Sequence, residues 1–140
     1  MVAPLELERA TARYDQQTHT VYVIYKGVLD AQTPVLVYDW LDLVYEAVDV
    51  DALRGQVFDF RQVKDFAQDN LVMARRSSNR MNMKTNISHC PVALIVGDFY
   101  HEEILRTAMR ISPEHNRKQI VWSDEEAQKF LDDWHQANKS

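Results

Sequence analysis

The chain contains one strongly apolar segment, Pro91-Val-Ala-Leu-Ile-Val96, which is followed at once by Gly97 and Asp98. An unbroken apolar run of this length is typical of a parallel strand that is covered on both faces. Gly97 predicts a turn after the strand, and Asp98 predicts the N-cap of a helix. This strand, turn and helix therefore indicate an α/β protein.

Strand and helix patterns alternate on both sides of this unit. Thr33 is expected to cap the first helix with Pro34 at its first position, and Ser123 with Glu126 predicts a capping box for the last helix. Gly27 is expected to end the second strand. We predict strands at residues 5–14, 19–26, 55–60, 91–96 and 118–122, and helices at 33–48, 69–84, 99–111 and from 123 onward.

This order of elements predicts the fold class. Strands that are separated by helices imply parallel pairing with right-handed crossovers. We therefore expect a mostly parallel sheet of about five strands, with an antiparallel N-terminal strand and about four helices.

Composition limits the function classes. The 140 residues fit one domain, which we expect to span residues 1–140. Lys and Arg number 16 against 21 Asp and Glu, and this acidic balance argues against a general nucleic-acid binder. A single cysteine excludes an internal disulfide framework and a Cys-rich zinc module. Without a visible secretory signal or a membrane-spanning apolar run, we expect a cytoplasmic protein.

Four segments, taken in their order and spacing, resemble the STAS/SpoIIAA-like superfamily, which includes the anti-sigma-factor antagonists. The segments are Val21-Tyr-Val-Ile-Tyr-Lys-Gly27, Val57-Phe-Asp-Phe-Arg-Gln-Val63, Val92-Ala-Leu-Ile-Val-Gly-Asp98 and Ile120-Val-Trp-Ser-Asp-Glu-Glu-Ala-Gln-Lys-Phe-Leu131. The resemblance implies a non-enzymatic module that binds a partner protein or a small ligand.

The sequence departs from the antagonists at their phosphorylation switch. In those proteins a Ser or Thr near the start of the helix after the third strand is phosphorylated by a partner kinase. Aligning Asp59 with the family pattern puts Ala67 and Gln68 at that place, and no hydroxyl residue lies between Phe60 and Arg76. A phosphorylation-controlled antagonist is therefore not expected.

No motif for catalysis or for a cofactor is visible. The chain has no glycine-rich phosphate loop, and its five histidines (residues 19, 89, 101, 115 and 135) show no metal-ligand spacing. His89 and Cys90 are adjacent, so in an extended segment their side chains point to opposite faces. We expect no enzyme activity, no metal and no cofactor, with Cys90 as a small buried residue.

Three polar residues are candidates for binding a ligand. Asp59, Arg61 and Asp65 follow a buried strand segment, and open α/β sheets bind ligands at the carboxyl ends of their strands. The alternative is a strand-end aspartate that is satisfied by neighbouring backbone N–H groups.

Two helices are candidates for binding a partner. In the first, the apolar arc spans roughly 220°, where one helix–sheet contact needs little more than about 100°. We expect Tyr38, Leu41 and Tyr45 to form an exposed patch, although a neighbouring helix could cover part of the arc. The second helix carries Arg76, Arg80 and Lys84 at spacings of four, beside Arg75. This basic stripe is interpreted either as a site for an anionic partner or as a solvated face.

The sequence thus predicts a non-catalytic regulatory module that acts by protein–protein contact and forms a homodimer. The alternative is a module that binds a small apolar or amphipathic, lipid-like ligand between the first helix and the sheet. An enclosed apolar cavity lined by Val23, Trp40, Phe58 and Met81 would favour the ligand, and a filled core would favour the partner.

Overall fold

A computed structural model describes residues 2–110 and 117–138. The predicted end of the third helix at Ile111, and His115, lie outside these residues. Strands and helices follow one another along the chain in an alternating order. They are β1 (Leu5–Glu6), β2 (Ala10–Asp15), β3 (Thr20–Leu29), α1 (Gln32–Ala47), β4 (Gly55–Phe66), α2 (Asn70–Lys84), β5 (Val92–Ile95), α3 (Phe99–Arg110), β6 (Lys118–Val121) and α4 (Asp124–Ala137), with a short 3-10 helix at Val50–Ala52 before β4.

The strands pair in chain order in one mixed sheet. β1 pairs with β2 and β2 with β3 in antiparallel fashion, whereas β3, β4, β5 and β6 are parallel. Each parallel connection passes through a helix, so the predicted α/β class is confirmed. The sheet has six described strands because the first predicted strand is itself a hairpin, closed by the Leu7 N–Ala10 O hydrogen bond of 2.8 Å.

The two central strands are longer than the sequence predicts. β3 continues past Gly27, which adopts the left-handed φ of 75° where the β3–β4 register shifts. A bulge of this kind kinks a strand without ending it. β4 continues to Phe66 alongside β3, and its added part is mostly polar and exposed. Both extensions carry the sheet beyond the predicted strand ends.

The first helix is capped differently from the prediction. α1 begins at Gln32, and Thr33 lies within its first turn. Asp30 Oδ1 accepts hydrogen bonds from Thr33 N at 2.9 Å and from Thr33 Oγ1 at 2.7 Å. Thr33 is thus the donor and Asp30 the acceptor, so the prediction of a Thr33 cap is wrong. The Ser123 cap is confirmed, because Ser123 Oγ accepts from Glu126 N at 3.1 Å.

Helices cover both faces of the sheet. α1, α2 and α3 lie over the face that carries Phe58, Phe60 and Leu94. α4 lies over the opposite face, where Ala127 and Leu131 pack on the side chains of β4, β5 and β6. Residues along each central strand alternate between these faces, as strand geometry requires.

Candidate functional site

A cavity of about 110 Å³ lies between the sheet and helices α2 and α3. It is smaller than the engineered cavity of roughly 150 Å³ that accepts benzene in another protein, so its size suits a small ring or a short alkyl chain. The floor is formed by inward-facing residues of the central strands, and the walls come from the helices. Lining residues include Gln56, Phe58, Phe60, Val92, Leu94, Leu71, Ala74, Ser78, Met81, Leu105 and Ala108.

The sequence of α2 accounts for the empty space. A helix that packs on a sheet normally presents large apolar side chains. On α2, however, the buried residues are Asn70, Ser77, Ser78 and Met81. Small side chains at Ala74 and Ser78 leave the space above Phe58 and Leu94 unfilled.

Arg117 is the most unusual residue of the cavity lining. It is 5% exposed, and its Nη1 donates a hydrogen bond of 2.8 Å to the Cys90 carbonyl oxygen. Its Nε is buried and has no hydrogen-bond partner within the described residues, where no carboxylate forms an ion pair with Arg117 either. Burying a cation without a counter-charge is costly.

The cavity as a whole favours an anion. Arg75 and Lys118 line it together with Arg117, and none of the described residues that line it is Asp or Glu. Asn79 contributes a buried Oδ1 without a hydrogen-bond partner in the described part of the chain. Arg75, Asn79 and Lys118 are half-buried, so the positively charged side of the cavity reaches solvent.

The predicted exposed patch on α1 is wrong for two of its three residues. Leu41 is 0% exposed and Tyr45 is 6% exposed, because α1 is covered by the sheet and by α2. The Tyr45 hydroxyl is hydrogen-bonded to Gln56 Nε2, and burial raises its pKa well above the ordinary value. Tyr38 is half-buried and lines the cavity. The apolar arc of α1 is therefore covered in part by α2, which is the alternative that the sequence analysis left open.

The basic stripe of α2 meets the acidic stripe of α1. Arg80 Nη2 lies 3.5 Å from Asp39 Oδ1, and Lys84 Nζ lies 3.9 Å from Asp42 Oδ2 and 3.7 Å from Glu46 Oε1. Exposed pairs of this kind contribute little to stability, but they occupy the charges that the sequence left available to a partner. Arg76 is exposed, and within the described residues it forms no ion pair.

Asp59 and Arg61 form a bidentate ion pair at the end of the buried part of β4. Arg61 Nε donates to Asp59 Oδ1 at 3.0 Å and Nη2 to Asp59 Oδ2 at 2.8 Å, while Nη2 also lies 3.1 Å from Asp124 Oδ1. The hydrogen bond to Asp59 is the main cause of the raised pKa of Arg61.

Asp65 does not join this pair. It lies six positions further along β4, at most about 20 Å away at strand spacing, and it accepts a hydrogen bond of 2.8 Å from Phe66 N. The structure therefore brings together Asp59 and Arg61 but not Asp65.

Exposed aromatic rings lie beside the Arg61–Asp124 contact. Phe99 is 76% exposed, Tyr100 61% and Trp122 36%, and the Phe99 and Trp122 rings meet edge-on at 5.3 Å. We call Arg61, Phe99, Tyr100, Trp122 and Asp124 the carboxyl-edge surface. The last four follow the carboxyl ends of β5 and β6, and Arg61 reaches Asp124 from within β4. Sequence reasoning missed this surface, although Phe99 and Tyr100 stand next to the predicted Asp98 cap and outside any apolar stripe.

Metal and thiol chemistry depend on how the His, Cys, Asp and Glu side chains of the described residues are arranged. No three His, Cys, Asp or Glu side chains among them are grouped so that they could hold a metal ion. Cys90 is buried, and burial raises the pKa of its thiol to about 12, which keeps it protonated. Within residues 2–110 and 117–138, no helix combines the length and apolar character needed to cross a membrane.

Comparisons with known proteins identify the fold. No protein-family model and no curated protein matches the chain. Among solved structures, an uncharacterized DUF3478-family protein with a SpoIIAA-like fold from Shewanella loihica PV-4 matches with a TM-score of 0.60 at 13% identity, covering 91% of this chain and 97% of its own.

Two anti-sigma factor antagonists also match. One, from Mycobacterium paratuberculosis, has a TM-score of 0.55 at 12% identity, covering 88% of this chain and 94% of its own. The other, SpoIIAA in its unphosphorylated form, has a TM-score of 0.57 at 8% identity, covering 86% and 94%. The chain thus has a SpoIIAA-like fold, which confirms the resemblance predicted from sequence. At these identities the similarity is one of fold.

Proposed function

We propose that this chain is a non-catalytic regulatory module that acts by binding a protein partner at the carboxyl-edge surface. The observation that supports this most directly is the exposure of Phe99 and Tyr100, at 76% and 61%. Aromatic residues and arginine dominate the energetics of protein interfaces. Two similar solved structures are anti-sigma factor antagonists, a class whose name denotes action against another protein. A cytoplasmic setting is part of the proposal.

The chemistry of this surface defines the kind of partner. Asp59 and Asp124 hold the Arg61 guanidinium in place, so little side-chain freedom is lost when a partner binds. Exposed Asp98 and Asp124 side chains flank the aromatic rings. An apolar centre with an acidic rim fits a protein whose own apolar patch is bordered by Lys or Arg.

The predicted homodimer needs a different surface. Two copies meeting through the carboxyl-edge surface would oppose their acidic rims, which is unfavourable. Leu36 and Leu43 are 37% and 55% exposed and lie seven residues apart on α1. We place the dimer contact there, in place of buried Leu41 and Tyr45.

Site-specific photo-crosslinking tests the partner proposal. The photoreactive amino acid benzoylphenylalanine is introduced in place of Phe99, and the protein is expressed in its native cells. In a matched control it replaces Met83, which is 90% exposed on α2. We expect a discrete adduct with another protein from position 99, absent from position 83 and lost with Tyr100→Glu. The absence of an adduct at 99, or the same adducts at both positions, contradicts the proposal.

A second candidate function is binding of a small amphipathic ligand, which the cavity favours. Phe58 and Met81 line this cavity as expected, but Val23 and Trp40 belong to the filled core beneath α1. Trp40 Nε1 donates to the Ala3 carbonyl oxygen at 2.8 Å. We therefore place the candidate ligand site mainly under α2 and α3, with Pro34 and Tyr38 as its lining residues from α1, whereas the sequence prediction put the site under the first helix.

A further inference from the structure

We propose that Arg117 binds the carboxylate of a small amphipathic acid whose apolar part fills the cavity under α2 and α3. This inference deepens the second candidate function and rests on it. It starts from a buried guanidinium, which the structure places beside an apolar space without supplying a counter-charge from the described residues.

The donor atoms of Arg117 specify the ligand group. Nη1 is used by the Cys90 carbonyl oxygen, and the buried Nε, which lies beside Nη2, has no hydrogen-bond partner among the described residues. These two nitrogens form the side-on fork of a guanidinium, which matches the two oxygens of a carboxylate. Arg61 provides an internal example, because its Nε and Nη2 hold the two oxygens of Asp59.

The rest of the cavity lining agrees with an acid that has an apolar body. The floor is formed by Phe58, Phe60 and Leu94, which offer only apolar contact. Arg75 and Lys118 add positive charge on the half-buried side, and no acidic side chain lines the cavity in the part of the chain that the structure describes. A bare inorganic anion would leave the apolar floor uncovered, whereas a neutral hydrocarbon would leave Arg117 uncompensated.

The size of the cavity limits the ligand to a small ring or a short alkyl chain. About 110 Å³ is less than the roughly 150 Å³ cavity that holds benzene. Butyrate therefore serves as the probe, since its carboxylate reaches toward Arg117 while its short alkyl chain occupies the space over the sheet. 1-Butanol is its neutral counterpart, and inorganic phosphate is the anion without an apolar part.

Isothermal titration calorimetry of the full chain tests the inference. We expect butyrate to bind with one site per chain, and 1-butanol to bind roughly 10- to 100-fold more weakly because it lacks the charge-assisted pair. Arg117→Gln should weaken butyrate binding by a similar factor, and so should Arg117→Lys, which keeps the charge but loses the fork. Phosphate should not compete with butyrate.

A second variant tests the inference if the Arg117 variants do not fold. Ser78→Leu extends a side chain into the cavity and should abolish butyrate binding while Arg117 stays in place. Equal affinities for butyrate and 1-butanol would overturn the Arg117 inference and leave the ligand-binding function standing. Absence of binding by both probes would overturn both, and competition by phosphate would overturn the requirement for an apolar part.

Discussion

Filling the cavity under α2 should stabilise the chain, and Ser78→Leu is the substitution that does so. Ser78 is buried and lines the cavity. Filling about 110 Å³ completely would contribute about 2.6 kcal/mol at roughly 24 cal/mol per Å³. The added leucine carbons give a similar upper value of about 2.4 kcal/mol, at about 0.8 kcal/mol per CH₂.

The expected gain is smaller than these upper values, because a leucine fills the space imperfectly and loses rotamer freedom. We expect the free energy of unfolding to rise by about 1 to 2 kcal/mol. For a chain of this length, that corresponds to a rise in melting temperature of about 3 to 6 °C. Chemical denaturation followed by circular dichroism measures the free energy, and a thermal scan measures the midpoint.

Ser77→Leu is the matched control. Ser77 is also buried on α2, and it is the neighbour of Ser78, but it does not line the cavity. The gain in helix propensity is the same for both substitutions, whereas a leucine at 77 must displace packed atoms at a cost of about 1 to 3 kcal/mol. If Ser78→Leu destabilised the chain as much as Ser77→Leu, the cavity would not exist in solution.

Further predictions concern charge and assembly. Arg117→Met should raise the unfolding free energy of the ligand-free chain by about 1 to 3 kcal/mol in chemical denaturation, because it removes a buried cation that no carboxylate of residues 2–110 or 117–138 pairs; a lower value would mean that Arg117 is already paired. The pKa of Asp30 is lowered from 3.8, chiefly by its hydrogen bonds to Thr33, so its stabilisation is present above about pH 4 and is lost as the pH falls through the folded value. The urea midpoint of Asp30→Asn should therefore lie below that of the parent chain at pH 6 and approach it at pH 2, and a constant difference would contradict this. Leu36→Glu with Leu43→Glu should reduce a dimeric mass to the monomeric one in light scattering, and a parent chain that is itself monomeric would refute the dimer.

Much of the fold could be predicted because its signals are local. The apolar run that ends at Val96 and the Ser123 cap of the last helix both appear in the structure as expected. The errors arose where tertiary contacts decide how far a strand extends or which residue caps a helix. The second half of β4 is polar and becomes a strand only because β3 continues beside it through a bulge at Gly27. Thr33 carries the residue type of a cap, but the Asp30 carboxylate takes that role.

The candidate sites could be predicted only in part. Asp59 and Arg61 are in contact, because two residues on the same side of one strand are neighbours, and their binding of a ligand stays a prediction. Leu41 and Tyr45 were misplaced, since burial by α2 depends on how two helices pack. No pattern in the sequence indicated that Arg117 would be a binding residue. Its importance comes from burial beside a cavity, and the cavity comes from small side chains on α2.

The most direct measurement uses the partner protein that is identified by crosslinking at position 99. Its affinity is measured for the parent chain and for the double variant Phe99→Ser, Trp122→Ser. Both rings are exposed, so the double variant should keep its melting temperature. Removing two interface aromatics should weaken binding at least about 30-fold, whereas the control Val72→Ser, at a residue 44% exposed on α2, should bind as the parent does. Unchanged affinity of the double variant would contradict the assignment of the carboxyl-edge surface as the binding site.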